Sequence, residues 1–292
     1  MTAAPHDEAT RPKPSANGAA GPPRGFFNNR YGSTKLRVGV ATTWLSVIVL
    51  LPLAAIVWQS AGGGWAAFWE AITSNAAVES FRVTLTISVA VAVINAFFGL
   101  LVAWVLTRDD FPGKRFVDAM IDLPFALPTI VASLVMLALY GPNSPVGIHL
   151  QHTKWGVAIA LLFVTLPFVV RSVQPVLLEV DQEVEEAAAS LGADNFTIFR
   201  LVILPALLPS LLSGAGLAFS RAIGEYGSVV LIGGAVPGET EVSSQYIRQL
   251  IEFDDRTGAA AVSIVLLTIS FVVLFILRTI GSRAAKREEL AA

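Results

Sequence analysis

Apolar residues in this chain run in long blocks, each close to the length of a membrane crossing, separated by shorter polar segments. A helix rising 1.5 Å per residue needs about 20 apolar residues to cross a hydrocarbon core. Six blocks fit or approach that requirement: 38–58, 83–106, 119–140, 156–170, 206–233 and 259–277. The fourth is short unless it continues through Ser172 to Leu178, with Arg171 reaching towards the headgroups. Lipid offers no partner to a free backbone amide, so blocks of this kind cross as helices. The predicted fold class is an all-α membrane protein with six transmembrane helices.

The polar intervals refine this picture. Residues 59–82 carry Trp65, Phe68 and Trp69 at helical spacing, the pattern of an amphipathic stretch lying in the membrane interface. Pro52, Pro124, Pro128, Pro167, Pro205 and Pro209 fall within or at the ends of spans. Each removes a backbone donor, which fits bent helices packed around a wet path, although proline is in any case commoner in membrane helices. Ser213, Gly214, Ala215, Gly216 and Ala218 form a small-residue patch suited to close helix packing.

Composition agrees: 54% of the 292 residues are hydrophobic and 14% charged, with mean hydropathy +0.66, well below the charged share of soluble domains. The net charge of −2 is uninformative, whereas the placement of basic residues is not. With six spans, 15 of the 20 Lys and Arg fall on the side holding both termini, four on the other, and Arg221 within a span. The excess of basic residues predicts both termini in the cytoplasm of a multi-pass inner (plasma) membrane protein. Residues 1–37, rich in Pro, Ala, Gly and basic side chains, read as a disordered cytoplasmic tail, and 281–292 as a second cytoplasmic tail. The first segment is too long and polar for a signal-peptide n-region, so the first apolar run reads as an uncleaved span. The absence of cysteine excludes disulfides and thiolate metal sites.

One segment on the predicted cytoplasmic side, 181–205, is built differently from the rest. Asp181, Glu183, Glu185 and Glu186 open a helix-favouring run, where carboxylates suit the positive end of the helix dipole. Ala187, Ala188 and Ala189 follow, Gly192 reads as a helix stop, and Asp194 as the cap of a second short helix from Phe196 to Leu204, ended before Pro205. The expectation is a helix-turn-helix elbow whose alanines admit close approach by another protein. Leu191, Phe196 and Phe199 are expected to fix it against the spans.

Arg221 and Glu225, four apart in the fifth span, should share a helix face. A charge at mid-membrane costs about 2.5–3.5 kcal/mol on insertion scales, so the pair must face protein or water. Two readings stand: a translocation pathway or its gate, and a self-neutralising pair locking two helices. No Ser/His/Asp arrangement exists among the three histidines, and His149 and His152 have no nearby carboxylate. The chain is therefore read as non-catalytic and without a metal site. No G-x-x-x-x-G-K-[ST] loop occurs, so nucleotide would have to bind a separate chain.

The elbow's spacing carries a resemblance. Glu186-Ala187-Ala188, three residues, Gly192, nine residues, Val202, one residue, Leu204-Pro205 is similar to the EAA loop of bacterial ABC-importer permeases, with Val202 in place of the commoner Ile. In that family the loop docks into an ATPase subunit. Runs at 122–129 (DLPFALPT), 139–142 (LYGP), 220–229 (SRAIGEYGSV), 239–242 (ETEV) and 252–255 (EFDD) resemble the T-type permease subunit of sulfate/thiosulfate importers. The resemblance covers roughly residues 80–280 and leaves 1–37 outside; Asp255-Arg256 departs from its pattern.

It implies the MetI-like ABC-importer permease fold, with a permease domain at 38–280 and a coupling loop at 181–205. It implies also a W-type permease partner, a dimer of ATPase subunits carrying ATP and Mg, and an extracytoplasmic sulfate-binding protein. Lipid is the other expected partner, with no cofactor in this chain and no nucleic acid. A molybdate permease shares these features and is the alternative oxyanion reading. A secondary transporter would call for matched charged spans in two halves, and there is one charged span.

Overall fold

A computed structural model describes residues 34–289, with side chains from 35 to 282. Residues 1–33 of the expected first tail and 290–292 of the second lie outside the described residues. The chain divides into two compact units, one ending at Leu53 and the other running from Ala54.

In the first unit α1 (Thr34–Leu45) reaches into the segment expected to be tail, and a π-helical turn follows at Ser46–Leu50. Leu51 donates its amide to the Ser46 carbonyl, five residues back. Pro52, one position on, has no amide to give and its ring crowds the carbonyl four residues earlier. A widened turn beside it accommodates both defects. Leu36, Trp44, Ile48 and Leu51 are exposed, as befits a helix with lipid for solvent. α2 (Leu51–Ala61) completes the first apolar helix.

The second unit is a bundle. After α3 (Gly64–Thr73), where Trp65 stacks on Phe68 and Trp69, α4 (Asn75–Arg108) runs unbroken for 34 residues. The expected third span is not one helix. It is divided into α5 (Lys114–Ile121), the single turn α6 (Leu123–Ala126) and α7 (Thr129–Tyr140). Pro128 explains the main break: it forces Leu127 out of the helical region, to an extended φ/ψ of −84°/135°. The fourth span, α8 (Lys154–Glu179), continues well past residue 170.

The elbow follows as α9 (Gln182–Ser190) and α10 (Asn195–Ile198); a second π-helical turn at Phe199–Ile203 leads straight into α11 (Leu204–Ile223). The fifth span therefore ends at Ile223, ten residues before the expected 233. Gly224 and the turn after it interrupt the helix before the short α12 (Val230–Gly233). α13 (Ser243–Glu252) and α14 (Arg256–Glu289) close the chain. Among the described residues five helices are thus long and apolar enough to span, and the shorter apolar α7 stands where the third was expected.

α8 is the centre of the bundle, packed on α4 and α11, while α11 also packs on α14. Close approach is achieved with glycine. A Cβ at Gly99 of α4 would sit 2.7 Å from Val169 Cβ, and one at Gly214 of α11 would sit 2.9 Å from Val169 Cα. The small-residue patch is thus a packing seam, with Gly214 towards α8 and Gly216 towards Leu274 and Leu277 of α14. Asn95 Nδ2 donates to Thr165 Oγ1 at 2.8 Å, a polar tie between α4 and α8.

Candidate functional site: the elbow and the two facing helix breaks

The elbow is held by backbone chemistry. Asp181 Oδ1 accepts the Glu183 amide at 2.9 Å, with Glu183 and Glu185 in the positive first turn. At the other end Gly192 takes φ +86°. Its amide bonds the Ala189 carbonyl at 2.9 Å and the Ala193 amide bonds the Ala188 carbonyl at 3.1 Å, the paired bonds of a Schellman stop. Asp194 Oδ1 then accepts the Thr197 amide at 3.0 Å and starts α10. The Thr197 hydroxyl, and then its amide, hold the Asp194 carboxyl below its ordinary pKa.

Two expectations change here. The second arm does not stop before Pro205. The Leu204 amide reaches back to the Phe199 carbonyl, and the widened turn carries the chain through Leu204-Pro205 into α11, as at Leu51-Pro52. Leu191 and Phe196 do not anchor the elbow: they are 90% and 68% exposed. Phe199 does pack inward, edge-on to Trp104 at 5.6 Å. Glu186, Ala187 and Gly192 are exposed, Ala188, Val202, Leu204 and Pro205 half-buried.

Two arginines make ties between elements distant in sequence. Arg108, the last residue of α4, bonds Glu185 Oε1 through Nη2 at 2.5 Å, and its guanidinium lies 5.8 Å from the Trp104 ring centre. Arg171 does not reach for headgroups but is clasped. It makes a two-pronged pair with Asp122 (2.8 and 2.7 Å), bonds Asp118 Oδ1 at 2.6 Å and its carbonyl at 2.8 Å, and bonds Gln174 at 2.6 Å. Asp118 and Asp122 stand four apart, where like charges repel, and Arg171 offsets that repulsion by pairing with both.

Arg221 and Glu225 are joined, Nη2 to Oε2 at 2.7 Å, but not along one helix face. α11 has ended at Ile223, so Glu225 lies in the turn beyond and the pair closes over the helix end. The Glu225 side chain is 1% exposed and that of Arg221 42%. Glu225 Oε1 accepts the Ser228 amide at 3.0 Å, and the Glu225 carbonyl accepts from Ser244 Oγ at 2.7 Å. Arg221 and Glu225 line a cavity of about 430 Å³ with Pro128, Thr129, Ile130 and Tyr226. The break in the third span and the break after the fifth thus face each other across one space. Its rim includes Tyr226, bonded through its hydroxyl to Arg248, whose guanidinium also stacks 5.5 Å from the ring. Among the described residues no group of three His, Asp or Glu is placed to hold a metal.

Residues 95–286 match the family described as "Binding-protein-dependent transport system inner membrane component". The chain belongs to that family. Named relatives sharpen the comparison. The "Sulfate transport system permease protein CysT" of Salmonella typhimurium is 41% identical over 259 residues, 86% of this chain and 94% of the relative. The proteins of the same name from Escherichia coli and Synechococcus elongatus are 42% and 43% identical, each covering 94% of the relative.

Solved structures give the fold. A bacterial ABC transporter importing alginate aligns with TM-score 0.70 at 15% identity, covering 85% of this chain and 94% of that one. The MetNI methionine ABC transporter aligns with TM-score 0.57 at 23% identity, covering 71% and 95%. This binding-protein-dependent transport component is accordingly an all-α, multi-pass permease subunit of MetI-like fold.

Proposed function

We propose that this chain is a membrane-spanning subunit of an ATP-driven importer of sulfate or thiosulfate. It would form half of the translocation pathway and take its motion from a separate ATPase through the elbow. The observation that carries this reading is the exposure of Leu191 and Phe196 on a doubly capped elbow, in a chain 41–43% identical to sulfate permeases over 86–87% of its length. Apolar side chains so exposed in a polar segment are compatible with a docking surface. The excess of basic residues on this side supports a cytoplasmic elbow with both termini beside it. The partners are a W-type permease, a pair of ATPase subunits that bind ATP and Mg, and an extracytoplasmic sulfate-binding protein.

In this mechanism ATP-driven closure of the ATPase pair pushes Glu186, Ala187, Ala188 and Gly192. The bundle rocks open to the outside, and hydrolysis resets it. Arg221 and Glu225 are the pathway station. A buried carboxylate holds the guanidinium from one side, while the exposed remainder of Arg221 faces the cavity beside the first residues of α7. A dianion meets one cation there, an attraction weak enough to permit release. The two jobs of the pair, charge balance and passage, are compatible.

Uptake of radiolabelled sulfate and of molybdate, in cells lacking the chain and in cells with it restored, tests the reading. Restoration of sulfate uptake alone supports it. Restoration of molybdate uptake alone reassigns the cargo, and uptake independent of any ATPase overturns it.

A further inference from the structure

The elbow is joined covalently to two helices, and both are soft. α8 contains Pro167 and Pro175, and α11 contains Pro205 and Pro209 behind a π-helical turn. α4 is different: 34 residues, about 51 Å at 1.5 Å per residue, without a proline. It has no covalent link to the elbow, yet its last turn holds both arms. Arg108 pairs with Glu185 on α9, both side chains mostly covered at 15% and 23% exposure. Trp104, one turn earlier, meets Phe199 on the second arm and lies beneath the Arg108 guanidinium.

The far end of the same helix is tied just as specifically. Thr84 Oγ1 accepts the Ser243 amide at 2.8 Å and donates to Ser243 Oγ at 3.1 Å, while Ser80 Oγ lies 3.2 Å from the same hydroxyl. All three residues are buried. The next residue, Ser244, bonds the Glu225 carbonyl, and Glu225 holds Arg221. One stiff helix therefore connects the elbow to the charged turn.

We propose that Arg108 is a positioning residue that fastens the elbow to α4, so that α4 moves with the elbow and carries the push to the Ser243–Glu225–Arg221 end. This rests on the elbow being the ATPase docking site. If Arg108 were lost, the elbow would still dock, but its displacement would be absorbed in the proline-bearing helices. Hydrolysis would continue while cargo movement fell.

The test uses the complete transporter, reconstituted in vesicles with partner permease, ATPase and binding protein, with sulfate uptake and ATP hydrolysis read from the same sample. Arg108→Glu and Glu185→Arg should each lower sulfate moved per ATP roughly tenfold, the size of a typical coupling between sites. The double charge swap should recover most of it. Arg108→Lys, which keeps the charge and loses the flat stacking on Trp104, should fall between.

Because the chain has no cysteine, a second measurement is direct. The pair Arg108→Cys and Glu185→Cys should couple poorly until a short thiol-reactive crosslinker joins them, and well afterwards. This comparison is internal to one assembled protein, so it stands even if the charge variants assemble badly. Unchanged sulfate per ATP in the single variants, no recovery in the swap, or no gain on crosslinking overturns the role of Arg108. Wild-type uptake that ignores the ATPase instead overturns the elbow reading beneath it.

Discussion

Gly227 lies so close to Thr129 that a Cβ on it would collide with the threonine hydroxyl and sit 2.9 Å from the threonine Cβ. The turn after α11 and the first residue of α7 are therefore pressed together where both spans are broken. The contact fixes the geometry of the cavity that Arg221 faces. Gly227→Ala must displace one wall, and overpacking of this kind costs about 1–3 kcal/mol. We expect a lower Tm for the purified transporter and reduced uptake, with Thr129→Gly in the same chain returning part of both. A full wild-type Tm in the single variant contradicts the contact.

The elbow separates stability from docking. A Cβ on Gly192 would meet nothing within 4 Å, so Gly192→Ala should cost only the left-handed backbone penalty at φ +86°, about 1–2 kcal/mol. Gly192→Pro cannot adopt that φ and should abolish uptake while the spans still insert. Glu186 is exposed, so Glu186→Lys should leave Tm unchanged and uncouple hydrolysis from uptake. Normal sulfate uptake in Glu186→Lys is the result that removes Glu186 from the docking surface.

What could be read from the sequence divides along a physical line. Block length and polarity specify that a helix exists, so six crossings and an elbow with its caps at Gly192 and Asp194 were legible. Where helices break inside the membrane is set by which neighbour receives the freed backbone groups, and one-dimensional hydropathy does not contain that. Hence the third span was read as continuous through Pro128 and the fifth through Gly224. The fate of Leu191 and Phe196 was misread for a related reason: apolar residues in a polar loop pack inward unless a partner covers them. The pairings of Arg108 and Arg171 are not legible in the sequence because their partners lie 77 and 49 residues away.

Arg221 and Glu225 can be tested for structure and passage separately. Arg221→Ala leaves the buried Glu225 carboxylate with the Ser228 amide and no cation, so the transporter should lose stability as well as uptake. Adding Glu225→Gln removes the stranded charge while its oxygen still accepts from Ser228. The double variant should regain Tm and remain impaired in sulfate uptake. If uptake returns together with Tm, the pair is a structural lock and has no part in the pathway.

Glu241, outside the spans between α12 and α13, gives a pH signature of definite sign. It is 5% exposed, and burial raises its carboxyl above the ordinary range. A group with a raised folded-state pKa binds more protons folded than unfolded in the window between the two values, so stability falls as pH rises through it. The contribution is fully present below the ordinary carboxyl range and is lost as pH climbs past the raised value. Glu241→Gln, neutral at every pH, should match the wild type at the acid end and exceed it in Tm at pH 8. Thermal unfolding of the two detergent-purified transporters across that range decides it: parallel curves would mean that the Glu241 carboxylate is hydrated or paired rather than buried.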